Sequence, residues 1–515
     1  MDSAWLIDSE SNAESKCHGA NGTAEISENE KPDQNGGNAS LARRQLSTGL
    51  KVLIVGSGPG GLMSALECWR KGHDVLKILE RSESPVLTGD IMVVQPSAIE
   101  VLRHWPELVS ELKEVEYDVD MHYKKHSGEH IYGPCKPSFN DPGEHERRKG
   151  PYTAALQPRI GFFQMLLRQV ERVGIEIEYG ARVETYFEDI PARKGGVVLE
   201  NGEAVTADVV IAADGQNTAS ANLVSGSPVN PKPSGMAIYR VAFSKEHAFQ
   251  NEIVREQWKD DSSVWQFWLG PKMYCGIVVH GDIISWGFTP RDDGTADESW
   301  TPGVEVTPEQ AINAMGNALE GWHPAIPALV RMTPKGTIVH SRLMWRDLRR
   351  QWTSPGGHVV QVGDSAHSFL PTSGNGATQS IEDAVTLATC LQLSGKTNVS
   401  LGSKIYNLLR YERVACAQKM TFVNSQLKQE TDWEAIKREP AKIRTRFPNW
   451  VTRHDPEAYA YEKYGQAFAH LTSNAPFQNT NFPPGHKFVP WSIDEVKRDI
   501  ENGVRVEDLL DGDWS

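Results

Sequence analysis

Long apolar runs are missing from this chain: none reaches the roughly 20 residues that a helix needs to span a bilayer. The N-terminus also lacks the basic-then-apolar pattern of a secretory signal. The expectation is a protein without a membrane span, in the cytoplasm. Cysteines are few. Six of them (Cys17, Cys68, Cys135, Cys275, Cys390, Cys416) stand far apart, with no C-x-x-C or Cys/His spacing. That spacing argues against a metal site and a disulfide framework and suits a reducing compartment, where the sequons at Asn21 and Asn38 carry no meaning. Cys68, Cys390 and Cys416 fall in helical patterns and read as small core residues. Positive charge is in deficit too. Fifty-three Lys and Arg against 67 Asp and Glu give a net charge of −14, which excludes a nucleic-acid backbone as partner. No internal repeat is present.

What is there begins at Val52. Val52-Leu53-Ile54-Val55 is an apolar run of the length expected for a strand buried on both faces. Gly56, Gly58 and Gly61 follow in the spacing G-x-G-x-x-G, then a helical stretch to about Gly72 and a second strand ending at Glu80. Gly56 permits the tight turn, Gly58 lets a diphosphate approach the backbone, and Gly61 lets helix and strand pack closely. The helix N-terminus offers unpaired N–H groups to phosphate, and Glu80 is placed to accept from a ribose. Lys77 is a charge out of place in such a strand.

Residues 1 to about 48 are polar and read as a disordered tail. A nucleotide-binding domain is expected over residues 49–114, 151–227 and 338–395, an α/β, Rossmann-like unit discontinuous in sequence. Buried strands are expected at Val209 to Ala213, ending at Asp214-Gly215, and at His358 to Val362. Residues 115–150 and 228–337 have a different texture. Strand-like aromatic stretches broken by turns (Ile238 to Phe243, Val264 to Leu269, Tyr274 to His280, Ile283 to Phe288) predict an inserted antiparallel sheet that carries the substrate, with one helix near Glu309 to Leu319. Trp265, Phe267 and Trp268 are candidates for core packing or pocket lining. Residues 396–515 are expected to be a helical C-terminal region.

A second cradle lies late in the chain. Asp364 stands at the C-terminal end of a buried strand, where open α/β sheets bind ligands, with helix capping as its structural alternative. Gly374-Asn375-Gly376-Ala377 immediately precedes a long helix and would present N–H groups to an anion or a carbonyl oxygen. A dinucleotide with a polar ring edge would satisfy both cradles at once.

Together, Gly56-x-Gly58-x-x-Gly61 with Glu80, Asp214-Gly215, and Gly363-Asp364-Ser365-Ala366-His367 with Pro371 and Gly374-x-Gly376 resemble the single-component FAD-dependent monooxygenases. That family includes p-hydroxybenzoate and salicylate hydroxylases. The run GDSAHSFLPTSGNGATQSIEDA is most similar to fungal members acting on aromatic or indole natural products, and the resemblance covers about residues 50 to 425. It implies FAD as cofactor, with Glu80 on the adenosine ribose, Arg159 in contact with FAD, Asp364 on the ribityl chain, and Gly374 to Ala377 along the flavin ring. Gly89 falls in the segment beside the flavin, although that segment is Thr88-Gly89-Asp90-Ile91 here instead of Gly-Ala-Gly-Ile. The second motif, usually Asp-Gly-x-x-Ser-x-x-Arg, has Thr218 and Ala221 in its serine and arginine places.

The resemblance further implies reduction by NAD(P)H, reaction with O2, and oxygen transfer from a flavin C4a-hydroperoxide to a small aromatic or other electron-rich substrate. Tyr239 matches a substrate-contacting tyrosine of some relatives and is the candidate catalytic residue, ahead of His280, with a sheet-packing role as its alternative. His367 is expected to be structural. An epoxidase or halogenase on the same fold stays open, as does a flavin-binding protein without catalysis. A plain nicotinamide dehydrogenase would lack the late motif. Baeyer–Villiger and N-hydroxylating flavoenzymes typically carry a second G-x-G-x-x-G, which this chain does not have.

Overall fold

The computed structural model describes residues 42–514 apart from 88, 145, 147–150, 229, 271–272, 300–302, 304–305, 317–320, 430 and 446. The elements that position the site are, in chain order, β1 (Lys51–Val55), α1 (Pro59–Arg70), β2 (Asp74–Glu80), β3 (Asp120–Lys125), β4 (His130–Cys135), α2 (Arg159–Arg172), β5 (Ile177–Tyr179), β6 (Val209–Ala212), β7 (Lys232–Ser244), β8 (Ser263–Gly270), β9 (Met273–His280), β10 (Ile283–Phe288), β11 (Val339–Trp345), β12 (Val359–Gln361), α3 (Gly376–Ser394), α4 (Val399–Gln429) and α5 (Pro456–Ser473). Two sheets dominate.

The first is a five-stranded parallel sheet in the order β12-β6-β1-β2-β5. Val52, Ile54, Val209, Ile211 and Val360 pack on one face with Leu62 and Leu66 of α1 and Ile381, Val385 and Ala388 of α3. Leu53, Val55, Val210 and Val359 pack on the other face with Tyr186, Val197 and Leu199 of a small antiparallel sheet. Each side chain so buried contributes roughly 1.5–3 kcal/mol relative to exposure, which is why the central strands read as unbroken apolar runs. Lys77 is reconciled at the rim: its ammonium lies 2.5 Å from Glu178 on β5.

The second sheet has seven strands in the order β11-β7-β10-β9-β8-β3-β4, antiparallel except between β8 and β3. Strand alternation divides its residues between two faces. One face carries Tyr239, Val241, Cys275, Ile277, Ile284, Trp286 and Phe288 and is covered by short helices at Glu252–Trp258, Pro308–Ala314 and Ala325–Arg331. The other face meets the dinucleotide-binding side, where Trp265 and Val278 pack with Ile91 and Val93, and Ile238 packs with Leu370.

Three expectations need adjustment. Val339–Trp345 pairs with β7 and so belongs to the inserted sheet; the parallel sheet resumes only at Val359. The helix expected near Glu309 to Leu319 runs Pro308–Ala314, started by a capping box of Thr307 and Gln310, and residues 317–320 lie outside the described residues. Of the tail, residues 1–41 lie outside the described residues as well. Residues 42–48 do not behave as a free coil: the Gln45 N–H donates to Arg70 O, the Thr48 N–H to Gly72 O, and Arg44 pairs with Asp74. Backbone hydrogen bonds to the end of α1 supply what apolar pattern could not. Among the described residues, no helix is long and apolar enough to cross a membrane, and no group of His, Cys, Asp and Glu is arranged to hold a metal.

Candidate active site

The first glycine turn closes between β1 and α1. Gly56 has φ of +99°, and a Cβ there would lie 2.3 Å from the Ala213 carbonyl oxygen; a Cβ on Gly61 would lie 1.9 Å from the Gly56 oxygen. Both positions therefore require glycine on packing grounds. Gly58 differs, because a Cβ built on it meets nothing within 4 Å. It faces open space at the start of α1, a helix with no side-chain cap. Glu80, at the end of β2, accepts from Ser57 N (2.9 Å), Ser57 Oγ (2.8 Å) and Ser82 N (2.9 Å). Burial pushes the carboxyl pKa up, but those donors prevail and hold it below its ordinary range.

The late motif lies beside the early one. A Cβ on Gly60 would sit 3.2 Å from the Ser380 Cβ, and one on Gly363 would sit 2.6 Å from Ser380 Oγ. The first turn of α3 is thus wedged between the two glycine loops. Asp214 ties in the second motif: it accepts from Tyr186 Oη (2.9 Å) and Ser365 Oγ (3.0 Å), and the Gly215 N–H donates to Ser365 Oγ (2.9 Å). The two remote glycine turns lie side by side against Ser380.

Beneath the late loop is a buried ionic cluster. Asp383 accepts from Gly363 N (2.9 Å), His367 Nε2 (2.6 Å) and Arg410 Nε (2.8 Å). Glu382 accepts from Ser97 Oγ, Arg410 and Arg413. Removing one member would leave an uncompensated buried charge, so the cluster fixes the loop firmly. His367 is structural in this arrangement, as expected. The Asn375 turn is held from the other side, where Gln95 donates through Nε2 to Asn375 Oδ1 (2.9 Å) and Gly374 O (3.3 Å). No side chain caps α3.

Asp364 and Arg159 share an informative property: each keeps accessible surface while surrounded closely by protein, as groups lining a hollow do. Burial pushes the Asp364 carboxyl up, against the pull of His367, Arg159 and Arg346. No donor among the described residues reaches that carboxylate. Burial and the neighbouring Arg240 push the Arg159 guanidinium below its ordinary pKa, opposed by Asp90 and Asp364. Gly89 (φ +111°) would place a Cβ 2.5 Å from Arg159 Cδ, so this segment lies flat against the arginine despite its departure from the family spelling. Thr88 lies outside the described residues.

Tyr239 is not in this hollow. Its ring stacks on His340 (3.9 Å) and Phe288 (5.4 Å) on the helix-covered face, where burial pushes its phenol up to about 12. Strand alternation turns the Tyr239 ring to the helix-covered face, the surroundings of the sheet-packing alternative. Its neighbour Arg240 projects to the other face and pairs with Asp90 at 3.2 Å. In register with Arg240 stand Gly287, Gly276 and Phe267 on successive strands, so two adjacent glycines leave the middle of that face bare. Trp265 Nε1 comes within 3.8 Å of a Cβ on Gly276. Trp265 and Phe267 thus face inward, whereas Trp268 packs outward on Trp258. His280, on the face of Gly276 and Val278, stacks on Tyr117 at 4.2 Å and meets Ser263 Oγ at 2.9 Å.

Comparison with known proteins follows this geometry closely. A sequence profile described as an FAD binding domain matches residues 49–401. The FAD-dependent monooxygenase mdpD of Emericella nidulans is 58% identical over 509 residues, covering 98% of this chain and 95% of that one. The chain belongs to the FAD-dependent monooxygenases. A second fungal relative, the FAD-dependent monooxygenase dmxR9 of Cryptosporiopsis sp., is 58% identical over 92% of each chain. Among solved structures, CtdE in complex with FAD and a substrate superposes with a TM-score of 0.73 at 28% identity, covering 82% of this chain and all of that one. FqzB superposes with a TM-score of 0.74 at 26% identity, over 86% of this chain and 99% of that one.

The residues present fit the cofactor. Gly58 and Gly376 leave room where a side chain would intrude, two uncapped helix N-termini converge, and Asp364 and Gln95 Oε1 are polar atoms without a protein partner among the described residues. Arg240, Gly276, Gly287 and Gln95 were not singled out by motif. The alternation around Tyr239 could have flagged Arg240 as its opposite, but nothing local says which face is which.

Proposed function

We propose that this FAD-dependent monooxygenase uses NAD(P)H and O2 to hydroxylate a small, electron-rich aromatic compound of secondary metabolism. One oxygen atom enters a C–H bond of the substrate, the other leaves as water, and NAD(P)H supplies the electron pair. When bound, FAD accepts hydride from the nicotinamide and activates O2. Gly56, Gly58 and Gly61 would hold its diphosphate at the N-terminus of α1, Glu80 its adenosine ribose, and Asp364 its ribityl chain. The N–H groups of Gly374, Gly376 and Ala377 would meet the polar edge of the ring, with Gly89 and Arg159 beside it.

The observation that carries the substrate class is the bare Gly276–Gly287 patch between Arg240 and Trp265, a flat floor suited to a ring. Arg240 would stabilise the ionised form of a phenol and so raise its nucleophilicity. Tyr239 has no part in this. A relative from Petromyces alliaceus, 28% identical over 439 residues, is named asperlicin C monooxygenase. The five described cysteines are free thiols, in keeping with a reducing cytoplasm.

The test is product mass analysis under 18O2 with NADPH or NADH and a panel of phenols, indoles and prenylated aromatics. A product heavier by one labelled oxygen, formed with coupled nicotinamide oxidation, is the expected outcome. Failure of both nicotinamides to reduce the bound flavin would overturn the reading, as would nicotinamide oxidation that yields only hydrogen peroxide with every substrate.

A further inference from the structure

The second motif is a loop without its arginine. Ala221 takes the arginine place, is buried, and begins the short helix Ala221–Ser225. Thr218 is turned inward as well, its hydroxyl 2.6 Å from Ser220 Oγ. A cation nevertheless reaches this loop from another part of the chain. Arg346, immediately after β11, is 5% exposed and donates through NH1 to Gln216 Oε1 at 3.0 Å. The same fork holds both oxygens of Glu298, at 2.7 and 2.9 Å. Glu298 belongs to the loop between β10 and β11, so the guanidinium is pinned by the inserted domain on one side and by the second motif on the other.

With NH1 and NH2 so engaged, the Arg346 Nε–H is left buried with no hydrogen-bond partner among the described residues. A buried donor on a cation without an acceptor is costly and calls for a ligand. Asp364 is its counterpart, a carboxylate that no described donor reaches, brought to the same loop by the Gly215 N–H bond to Ser365 Oγ at 2.9 Å, since Gly215 adjoins Gln216 and Ser365 adjoins Asp364. One group can only donate and the other, when ionised, can only accept. A phosphate would satisfy Arg346 and be repelled by Asp364. Hydroxyls both donate and accept, so a polyol satisfies the two together.

We infer that Arg346 supplies the cation that the second motif lacks at position 221, and that Arg346 and Asp364 together grip the hydroxyl-bearing chain of bound FAD. This rests on FAD occupying the hollow proposed above. Arg346 is thereby a cofactor-positioning residue delivered by the inserted sheet.

The experiment is titration of flavin-free protein with FAD, followed by quenching of flavin fluorescence and by the rise in melting temperature on binding. Arg346→Met, Arg346→Lys and Asp364→Asn are compared with the unaltered protein. Loss of a hydrogen bond to a charged group weakens binding by about tenfold or more, the effect expected for Arg346→Met and Asp364→Asn. Arg346→Lys is expected to bind as weakly as Arg346→Met, because a lysine can pair with Glu298 but has no Nε–H in that place. Native affinity in Arg346→Lys would overturn the proposal even if the methionine variant failed to fold. Native affinity in Arg346→Met with weakened binding in Asp364→Asn would overturn the role of Arg346 and keep the cofactor site. Native affinity in both would overturn the placement of FAD itself.

Discussion

In the parallel sheet the atoms proposed to meet the cofactor belong mostly to the backbone; in the seven-stranded sheet those proposed to meet the substrate belong to side chains. The first region presents two glycine turns and two uncapped helix ends, and its geometry follows from which residues can adopt a positive φ or a close approach. The second presents Arg240, Trp265 and two glycines whose neighbours in sequence point the opposite way. A motif can specify a backbone shape locally. A face of a sheet is specified only by what covers the other face.

The largest effect expected within this contrast is at Gly61. Gly61→Val would drive a side chain into the Gly56 carbonyl and is expected to cost about 3 kcal/mol or more of stability and to abolish retained flavin. Gly58→Ala, facing open space, is expected to leave the melting temperature of flavin-free protein unchanged while weakening FAD binding. Equal melting losses in the two variants would break the distinction between packing and binding glycines.

In the second region, Arg240→Met is expected to lower kcat/KM about 100-fold with flavin content intact, the scale of losing a preorganised charge at a reacting oxygen. Tyr239→Phe should stay within about twofold of the unaltered enzyme, the residue being on the covered face. Steady-state kinetics with the identified substrate decide the matter, and a large loss in Tyr239→Phe would reverse the assignment of faces. Next in size, Gly276→Val should raise KM for the substrate by about tenfold through occupation of the floor, with thermal stability unchanged. A drop in melting temperature with unaltered KM would show that the bare patch is not where substrate lies.

The smallest effect concerns Glu116, at the joint just before β3. Burial raises its carboxyl to about 7, helped by Asp118 and opposed by the Ala154 N–H and Lys113. A folded-state value above the unfolded one means that its contribution is fully present below the unfolded value near 4.5 and is lost as pH rises through about 7. Glu116→Gln should therefore stabilise the protein by about 1 kcal/mol at pH 8, after discounting for partial exposure, and by little at pH 4. Thermal melts at the two pH values test this, and a gain independent of pH would remove burial of the charge as its cause.

Much of the parallel half was readable beforehand. Val52 to Val55, Val209 to Ala212 and Val359 to Gln361 stand where apolar runs indicated, because a strand covered on both faces needs no register to be recognised. The inserted sheet was readable as strands but not as faces. Tyr239 and Arg240 are adjacent, both are reasonable site residues by chemistry, and alternation permits only one of them to face the hollow. The boundary near residue 338 failed for a related reason. Val339–Trp345 has the pattern of either sheet, and only its pairing with β7 assigns it.

Sequence alone determined the places where the chain must turn tightly, the helix ends that lie bare, and the strands that are buried on both sides, since each follows from steric or apolar properties of a few consecutive residues. Tertiary structure decided which side chains meet. Asp90 with Arg240, Gln216 with Arg346, and Gly60 with Ser380 are separated by 130 residues or more in the chain. Charge and contact at such separations depend on how two sheets dock, and no local spacing encodes that.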